Sequence, residues 1–536
     1  MIWHIFKKDW KLLWPLVMGV AAAHVINSVL ALAVGFFFEG RGLTQIYNVF
    51  PAVLLLGMSG LVIAAIHQDV LPGDRQDWLI RPIRRGDLIA EKLIFVLIAV
   101  NGPMFLVDVV HCLIVGLPFS DAVSAALSRG IFFFFSFGLP VLGLAALTSS
   151  FIEAMGGFLA IFLIGTVIRI GITVSTPENA ATFANMNDGE MLKEAWSVVA
   201  LAATFAIIPL QYFRRATTRS RTIAFGAVLV LPLVAFIPWS AGFSLLQRLS
   251  PDPSAATPVA IVFDPNLGRN EAPGSGWRPN SIWLPLRISG LPADSIMLDD
   301  RTIVRIFSRD GALLYRGPAI GTAPVPLMTV SNAPAFLDGF PVHALKGENV
   351  HTYKLIGLPR QILEQVRNQP VHMEVDYALT LFRVETSDSI PALNGNKRIP
   401  NLGLCRTKID DDGDEVLFGC LGARPVVGCG ILTLKNVVSG RQNPVPPLAS
   451  SCSRDYPLIT AHFVSNAMDM IHGKLMFRDP RGLAKYPVDA SQLADAQVLV
   501  RTYRPVVHFT RHLSIPEIRL GDWEAATTVA ATSPAQ

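Results

Sequence analysis

Three groups of residues in this 536-residue chain have types and spacings that could do chemistry. The first is a charged run of 26 residues, His67 to Lys92, set inside an otherwise apolar half. It mixes the apolar side chains Trp78, Leu79, Ile80 and Ile83 with the cations Arg75, Arg81, Arg84, Arg85 and Lys92. Pro82 bars a helix there, and Asp87 is placed to cap the helix that follows. Apolar anchors among guanidinium groups suit a docking surface for another protein. The plainer alternative is a solvated loop that only fixes topology. The second group is polar residues buried in apolar runs: His24 and Asn27 one turn apart, Asp108 and His111 one turn apart, and Arg169. Charges in a membrane are costly and either pair or line an aqueous path. Counting 1.5 Å per residue puts Asp108 roughly 22 Å and Arg169 roughly 27 Å from one face, close enough in depth to pair. Such a pair would fix helix order, wall a substrate path, or couple to protons. The third group is Cys405, Cys420, Cys429 and Cys452, an even cluster that reads as two disulfides. Cys405 and Cys420 flank the turn-like Asp410–Asp414, which favours 405–420 and 429–452 among three possible pairings. Zinc is the alternative, but there is no CxxC spacing and no nearby histidine.

Signatures of catalysis are missing. The sequence holds no HExxH, no GxSxG and no GxxxxGK[ST], so no P-loop binds ATP here and no cofactor is expected. The acidic run Asp410–Glu415 departs from calcium-loop spacing and reads as a solvated hairpin turn. His351, His372, His462, His472, His508 and His512 are scattered over β-rich stretches rather than spaced as ligands. A net charge of +4 gives no footprint for nucleic acid.

These groups sit in two unlike halves. Mean hydropathy is +0.43 with 16% charged residues, too apolar an average for a soluble chain, and residues 1–250 carry the excess. A helix needs about 20 apolar residues to cross a bilayer. Seven segments qualify: Leu13–Phe38, Gln45–Ile66, Leu93–Leu117, Gly130–Leu147, Phe151–Val174, Trp196–Phe213 and Thr222–Phe243. No cleavable signal peptide is expected. Met1–Lys11, with Trp3, Phe6 and Trp10 among Lys7, Lys8 and Lys11, reads as a short amphipathic helix in the headgroup layer, or else as a plain basic flank. With the N-terminus cytoplasmic, the inner side receives Lys7, Lys8, Lys11, Arg75, Arg81, Arg84, Arg85, Lys92, Arg214, Arg215, Arg219 and Arg221. The outer side receives only Arg41, Arg129 and Lys193, so the positive-inside rule sets this orientation. Seven spans then leave residues 251–536 outside the cell membrane, where disulfides persist.

The loop is where the chain resembles a family. The order of Trp78, Arg81-Pro82-Ile83, Arg84-Arg85, Leu88 and Lys92 just before the third span is similar to that in permease subunits of type 2 ABC exporters. An interfacial N-terminal helix and two spans precede that loop in the family, as read here. The likeness covers roughly residues 1–220. It implies that Trp78, Arg81, Pro82, Ile83, Arg84 and Arg85 contact a separate ATPase subunit. Family permeases commonly stop after six spans, whereas this chain adds a seventh and a domain of about 285 residues.

That outer half opens on a Pro-, Gly- and Ser-rich stretch, 251–281, expected to be an extended linker. Alternating runs follow, including Ile282–Ile288, Thr302–Phe307, Leu313–Tyr315, Val371–Val384, Val416–Phe418, Gly430–Leu434, Ile459–Val464, Gly473–Phe477 and Val498–Phe509. They predict one or two β-sandwiches, split as 282–388 and 389–525, with a short helix at Leu358–Val366 and a disordered tail at 526–536. The expected fold is thus a helical membrane bundle followed by a β-rich, sandwich-like extracytoplasmic domain. The expected function is the membrane subunit of an ATP-driven exporter, without catalytic residues of its own. It would form a homo- or heterodimer in the lipid bilayer and use the outer domain to bind substrate or an envelope partner. A membrane-anchored binding or assembly protein, or an envelope enzyme with a dispersed site, are the alternatives.

Overall fold

Backbone polar groups in a bilayer must be satisfied within the segment, so long apolar runs fold as helices. The structure is a computed structural model. It describes the chain apart from residues 38–40, 69–83, 115, 161–162, 164–187, 215, 235–238, 267–280, 293, 319–341, 344–349, 401, 411–412, 423–427, 444–449, 454–468, 478–487 and 525–536. The membrane half is built from α1 (Ile2–Phe37), α2 (Arg41–His67), α3 (Arg85–Ile114), α4 (Phe119–Leu147), α5 (Phe151–Ala160), α6 (Asp188–Tyr212), α7 (Thr217–Val234) and α8 (Trp239–Arg248). Four helices among the described residues are long and apolar enough to cross a membrane: Ile2–Ala33, Val49–His67, Arg85–Ile114 and Phe119–Leu147. Phe151–Ala160 and Val198–Tyr212 are shorter apolar helices.

Three expectations change here. Met1–Lys11 is not a separate helix. It forms the first turns of α1, which at 1.5 Å per residue is about 54 Å long. The reason is packing, because Phe6 meets Phe95 of α3 at 5.8 Å between ring centroids and Asp9 meets Lys92. The helix that holds the third expected span starts at Arg85, ahead of Leu93, and the one that holds the fourth starts at Phe119, ahead of Gly130. Arg129 therefore lies inside α4 instead of on the outer flank, and it is 2% exposed. One π-helical stretch interrupts each of these two helices, at Val96–Asn101 and Phe134–Gly138. Each adds a residue to its turn and shifts which side chains face the bundle.

Beyond α8 the chain turns into strands. The expected linker is only partly one. A 3-10 turn at Pro253–Ala256 and strand β1 (Ala260–Phe263) pack into the domain, with Ala255, Ala256 and Val259 buried. β1 joins β2 (Ser281–Ser289) and β6 (Val350–Gly357) in a three-stranded antiparallel sheet. A larger sheet holds β3 (Ser295–Phe307), β4 (Leu313–Pro318), β5 (Val342–His343), β7 (Val371–Pro391), β11 (Gly428–Asn436), β12 (Ser450–Ser453) and β14 (Ala496–Ile518), in the order β12-β11-β14-β7-β3-β4 with β5 also on β3. A third sheet runs β13 (Asp469–Met476), β10 (Glu415–Gly422), β9 (Gly403–Ile409), β8 (Asn396–Ile399). The helix α9 (Arg360–Val366) falls where the sequence places it.

Among the described residues two larger hydrophobic cores join the sheets, beside a smaller cluster of Ile296, Leu298, Phe382, Ile431 and Tyr503. One gathers Ile282, Leu284, Leu286 and Ile356 of the small sheet with Val304, Met373, Val375, Leu379 and Phe509 of the large one. The other gathers Phe418, Val416 and Leu475 with Ile390, Leu432, Leu434, Val498 and Val500. The two sandwiches are not consecutive. β7 is 21 residues and β14 is 23, and both run through the two cores, so the expected boundary at 388/389 falls inside a single strand. The Thr386 and Thr502 hydroxyls meet at 2.6 Å beside a register shift in that pairing.

Candidate functional site

The helix ends beside the charged loop come together at one end of the bundle. Trp78, Arg81, Pro82 and Ile83 lie outside the described residues; Arg84 precedes α3 and Arg85 begins it. The Arg85 guanidinium donates to the Phe213 carbonyl at the end of α6. Arg221 of α7 donates to the Leu147 carbonyl ending α4, at 3.2 Å, and lies 3.6 Å from Glu153 of α5. His67, which ends α2, lies 3.2 Å from the Thr148 hydroxyl. Two turns into α3, Lys92 donates to Asp9 of α1 at 2.5 Å and sits 3.4 Å from Glu91. The side chains of Asp9, Glu91 and Lys92 are 0–2% exposed. At the end of the bundle that carries the loop, charge-assisted bonds thus tie α3 to α1 and α6, and α7 to α4 and α5, while the His67–Thr148 contact brings in α2. Lys92, read from sequence as a loop cation, is a buried one. Asp9 was missed by sequence reasoning, although a lone acid four residues from Ile5 and four from Leu13 falls on the inward face of the helix.

Deeper in the bundle lies a polar layer. Arg129 of α4 donates through Nη1 to both oxygens of Asp108 on α3, at 2.5 and 2.6 Å. The carboxylate that was expected opposite Arg169 is therefore paired with Arg129, because α4 begins early enough to carry that cation beside Asp108. Arg169 itself lies outside the described residues. His111, one turn along α3, shares a 2.6 Å hydrogen bond between Nδ1 and the Ser28 hydroxyl of α1. His24 and Asn27 of α1 are each 4% exposed, and both histidine rings lie within electrostatic reach of Arg129. The layer thus brings together His24, Asn27, Ser28, Asp108, His111 and Arg129, two of which, Ser28 and Arg129, sequence reasoning did not single out.

The β-rich domain is docked at the opposite end of the bundle. Arg398 of β8 pairs with Asp121, in the first turn of α4, at 2.9 Å. Leu404 of β9 packs onto a cluster of Leu32, Phe105, Val109, Cys112, Leu117, Ala122 and Ala126. A second junction lies where α8 enters the domain. Phe243 meets the His508 ring edge-on at 5.9 Å, and the Ser250 hydroxyl accepts from the His508 amide at 3.0 Å. The His508 ring is held by Thr380, whose hydroxyl also donates to Asp300 at 2.5 Å. Thr380 is 2% exposed.

Cys405 and Cys420 form a disulfide. They are directly opposed in the β9–β10 register, and Cys429 and Cys452 are directly opposed in the β11–β12 register. Cys112 is buried and free. The acidic turn is closed by Asp410, whose carboxylate accepts from the Asp414 and Glu415 amides at 2.9 and 3.0 Å. Among the described residues no group of three or more His, Cys, Asp or Glu is arranged to hold a metal ion. No family model, curated protein or solved structure matches the chain.

Proposed function

We propose that this chain is the membrane subunit of an ATP-driven exporter, coupled through residues 67–92 to a separate ATPase and carrying an outer domain that binds substrate or an envelope partner. One observation carries the reading. The helix that follows the charged loop is tied to Asp9 of α1 and to the Phe213 carbonyl of α6, so a force applied at the loop reaches other helices through short bonds. The likeness of the loop to type 2 ABC permeases supports the same conclusion. In this reading the N-terminus faces the cytoplasm, seven helices span the inner or plasma membrane, and a second permease copy or a related chain completes the pore. The disulfide in the β-rich domain supports an oxidising compartment for it.

The test separates docking from topology. Arg85 is engaged with Phe213 and is left in place. Arg81→Gln together with Arg84→Gln should lower recovery of the ATPase in a pull-down while a reporter fused after Phe243 keeps its orientation. Unchanged ATPase recovery, or a flipped reporter, would refute the coupling role of this loop.

A further inference from the structure

We propose that the Asp108–Arg129 pair inside the membrane and the docked β8–β9–β10 hairpins of the outer domain form one mechanical unit, so that the state of either is read by the other. The inference concerns the chain itself and stands whether or not the exporter reading holds.

The connection runs through a single packed layer. Arg129 lies eight residues along α4 from Asp121, about 12 Å at 1.5 Å per residue. Between them Ala122, Ala125 and Ala126 are buried, and their small side chains let α3 and α4 approach closely. On α3, Cys112 is one turn beyond Asp108 and fully buried, in the same cluster as Ala122, Ala126 and Leu117. Leu404 rests on that cluster from outside, alongside Leu32 of α1, which is one turn beyond Ser28, the partner of His111. Asp121 beside it is held by Arg398. The seat of the hairpin is therefore the α3–α4 cleft whose closure the Asp108–Arg129 pair enforces. Dense packing transmits a displacement instead of absorbing it.

The disulfide decides what happens next. Leu404 is followed at once by Cys405, which is bonded to Cys420 on β10. Leu404 and Leu421 are opposed in the same register. A shift of Leu404 cannot fray β9 from β10. It carries the pair as a body into the core of Val416, Phe418 and Cys420. Coupling through such a contiguous network changes local equilibria by about 3- to 30-fold.

The native thiol Cys112 is the reporter from one side. In the full chain in lipid nanodiscs, labelling of Cys112 by N-ethylmaleimide is followed by peptide mapping, so that no other cysteine contributes. Arg398→Glu, which touches neither Cys112 nor the ion pair, should raise the labelling rate about 3- to 30-fold, and adding Asp121→Arg should restore it. From the other side, Arg129→Gln should raise hydrogen exchange over Asn396–Ile409 by a similar factor and leave Val371–Leu381 of β7 unchanged. Asp108→Asn added to Arg129→Gln should bring exchange back toward wild type. A Cys112 rate that does not respond to Arg398→Glu overturns the proposal. So does unchanged exchange in a folded Arg129→Gln protein. Should Arg129→Gln fail to fold, the Cys112 measurement decides alone.

Discussion

Replacing Lys92 by Met should be among the most damaging single changes in the membrane half. Lys92 Nζ lies 2.5 Å from Asp9 and 3.4 Å from Glu91, and all three side chains are 0–2% exposed. The substitution keeps the volume and removes the cation that both carboxylates share. Breaking a buried pair from one side costs about 3–5 kcal/mol, because the partner charge stays buried. Some relief comes from Lys8, 3.2 Å from the other Asp9 oxygen, but its side chain is 51% exposed and screened by water. The lower part of that range, about 3 kcal/mol, is therefore expected, a factor of more than 100 in the folding equilibrium. Glu91→Gln added to Lys92→Met removes one stranded carboxylate and should recover part of the loss. Lys92→Arg keeps the charge and should cost less than Lys92→Met. The assay is unfolding by sodium dodecyl sulfate in mixed micelles, followed by the fluorescence of Trp3, Trp10 and Trp14. A Lys92→Met protein as stable as wild type, or no recovery on removing Glu91, would refute the argument that this cluster is held by mutual neutralisation.

Other outcomes follow from the outer domain. Gly290 has φ +73°, and a Cβ there would fall 1.9 Å from the Pro258 carbonyl oxygen, so Gly290→Ala should lower the thermal unfolding midpoint markedly. Gly311 has φ +85° but open space around it, so Gly311→Ala should cost only about 1 kcal/mol, and equal effects would argue against the close approach at Gly290. The hydrogen bond from Lys397, with that from the Ser389 amide, holds Asp388 below the usual carboxylate range. A lowered folded-state value means stabilisation that is present above the unfolded carboxylate range and lost as pH falls through the folded one. Asp388→Asn should therefore flatten the acid limb of a stability–pH curve, and an unaltered limb would dismiss the contribution. Cys429 and Cys452 should appear as one cross-linked peptide pair under non-reducing conditions; free thiols at both would remove the second disulfide.

The parts of this fold that were legible in the sequence are those where a single local rule decides. Apolar runs marked the helices of the membrane half, and alternation marked β2, β3, β7, β10, β11 and β14. Pairing of Cys405 with Cys420 could be read from the turn between them. What could not be read depends on partners distant in sequence. Arg85, Lys92 and Arg129 looked like flanks because each is charged, yet each lies within a helix. Lys92 and Arg129 are tolerated in the interior because Asp9 and Asp108 neutralise them, and hydropathy summed along the chain cannot register a partner 83 residues away. The same limit hid the architecture of the outer domain. β7 reads as one strand because it is one, and nothing in its sequence marks where the sheet that covers it changes from β1-β2-β6 to β8-β9-β10-β13.

The ends of the bundle bear on orientation in a way that neither charge counting nor cysteines alone provide. Arg85, Lys92 and Arg221, three of the cations that suggested a cytoplasmic side, are joined in the structure to Phe213, Asp9, Leu147 and Glu153, all at one end. Arg129, one of three residues that argued for the other side, and Lys92, one of twelve that argued for the loop side, are both withdrawn from the count by burial against an acid, which leaves eleven against two. The docking of Arg398 and Leu404 onto the start of α4 puts the β-rich domain at the far end from those cations. The proposed placement, with the loop end cytoplasmic and the disulfide-bonded domain outside, accords with the positive-inside rule and the redox rule together. Inverting it would put the cations outside and the disulfide in a reducing compartment, violating both at once.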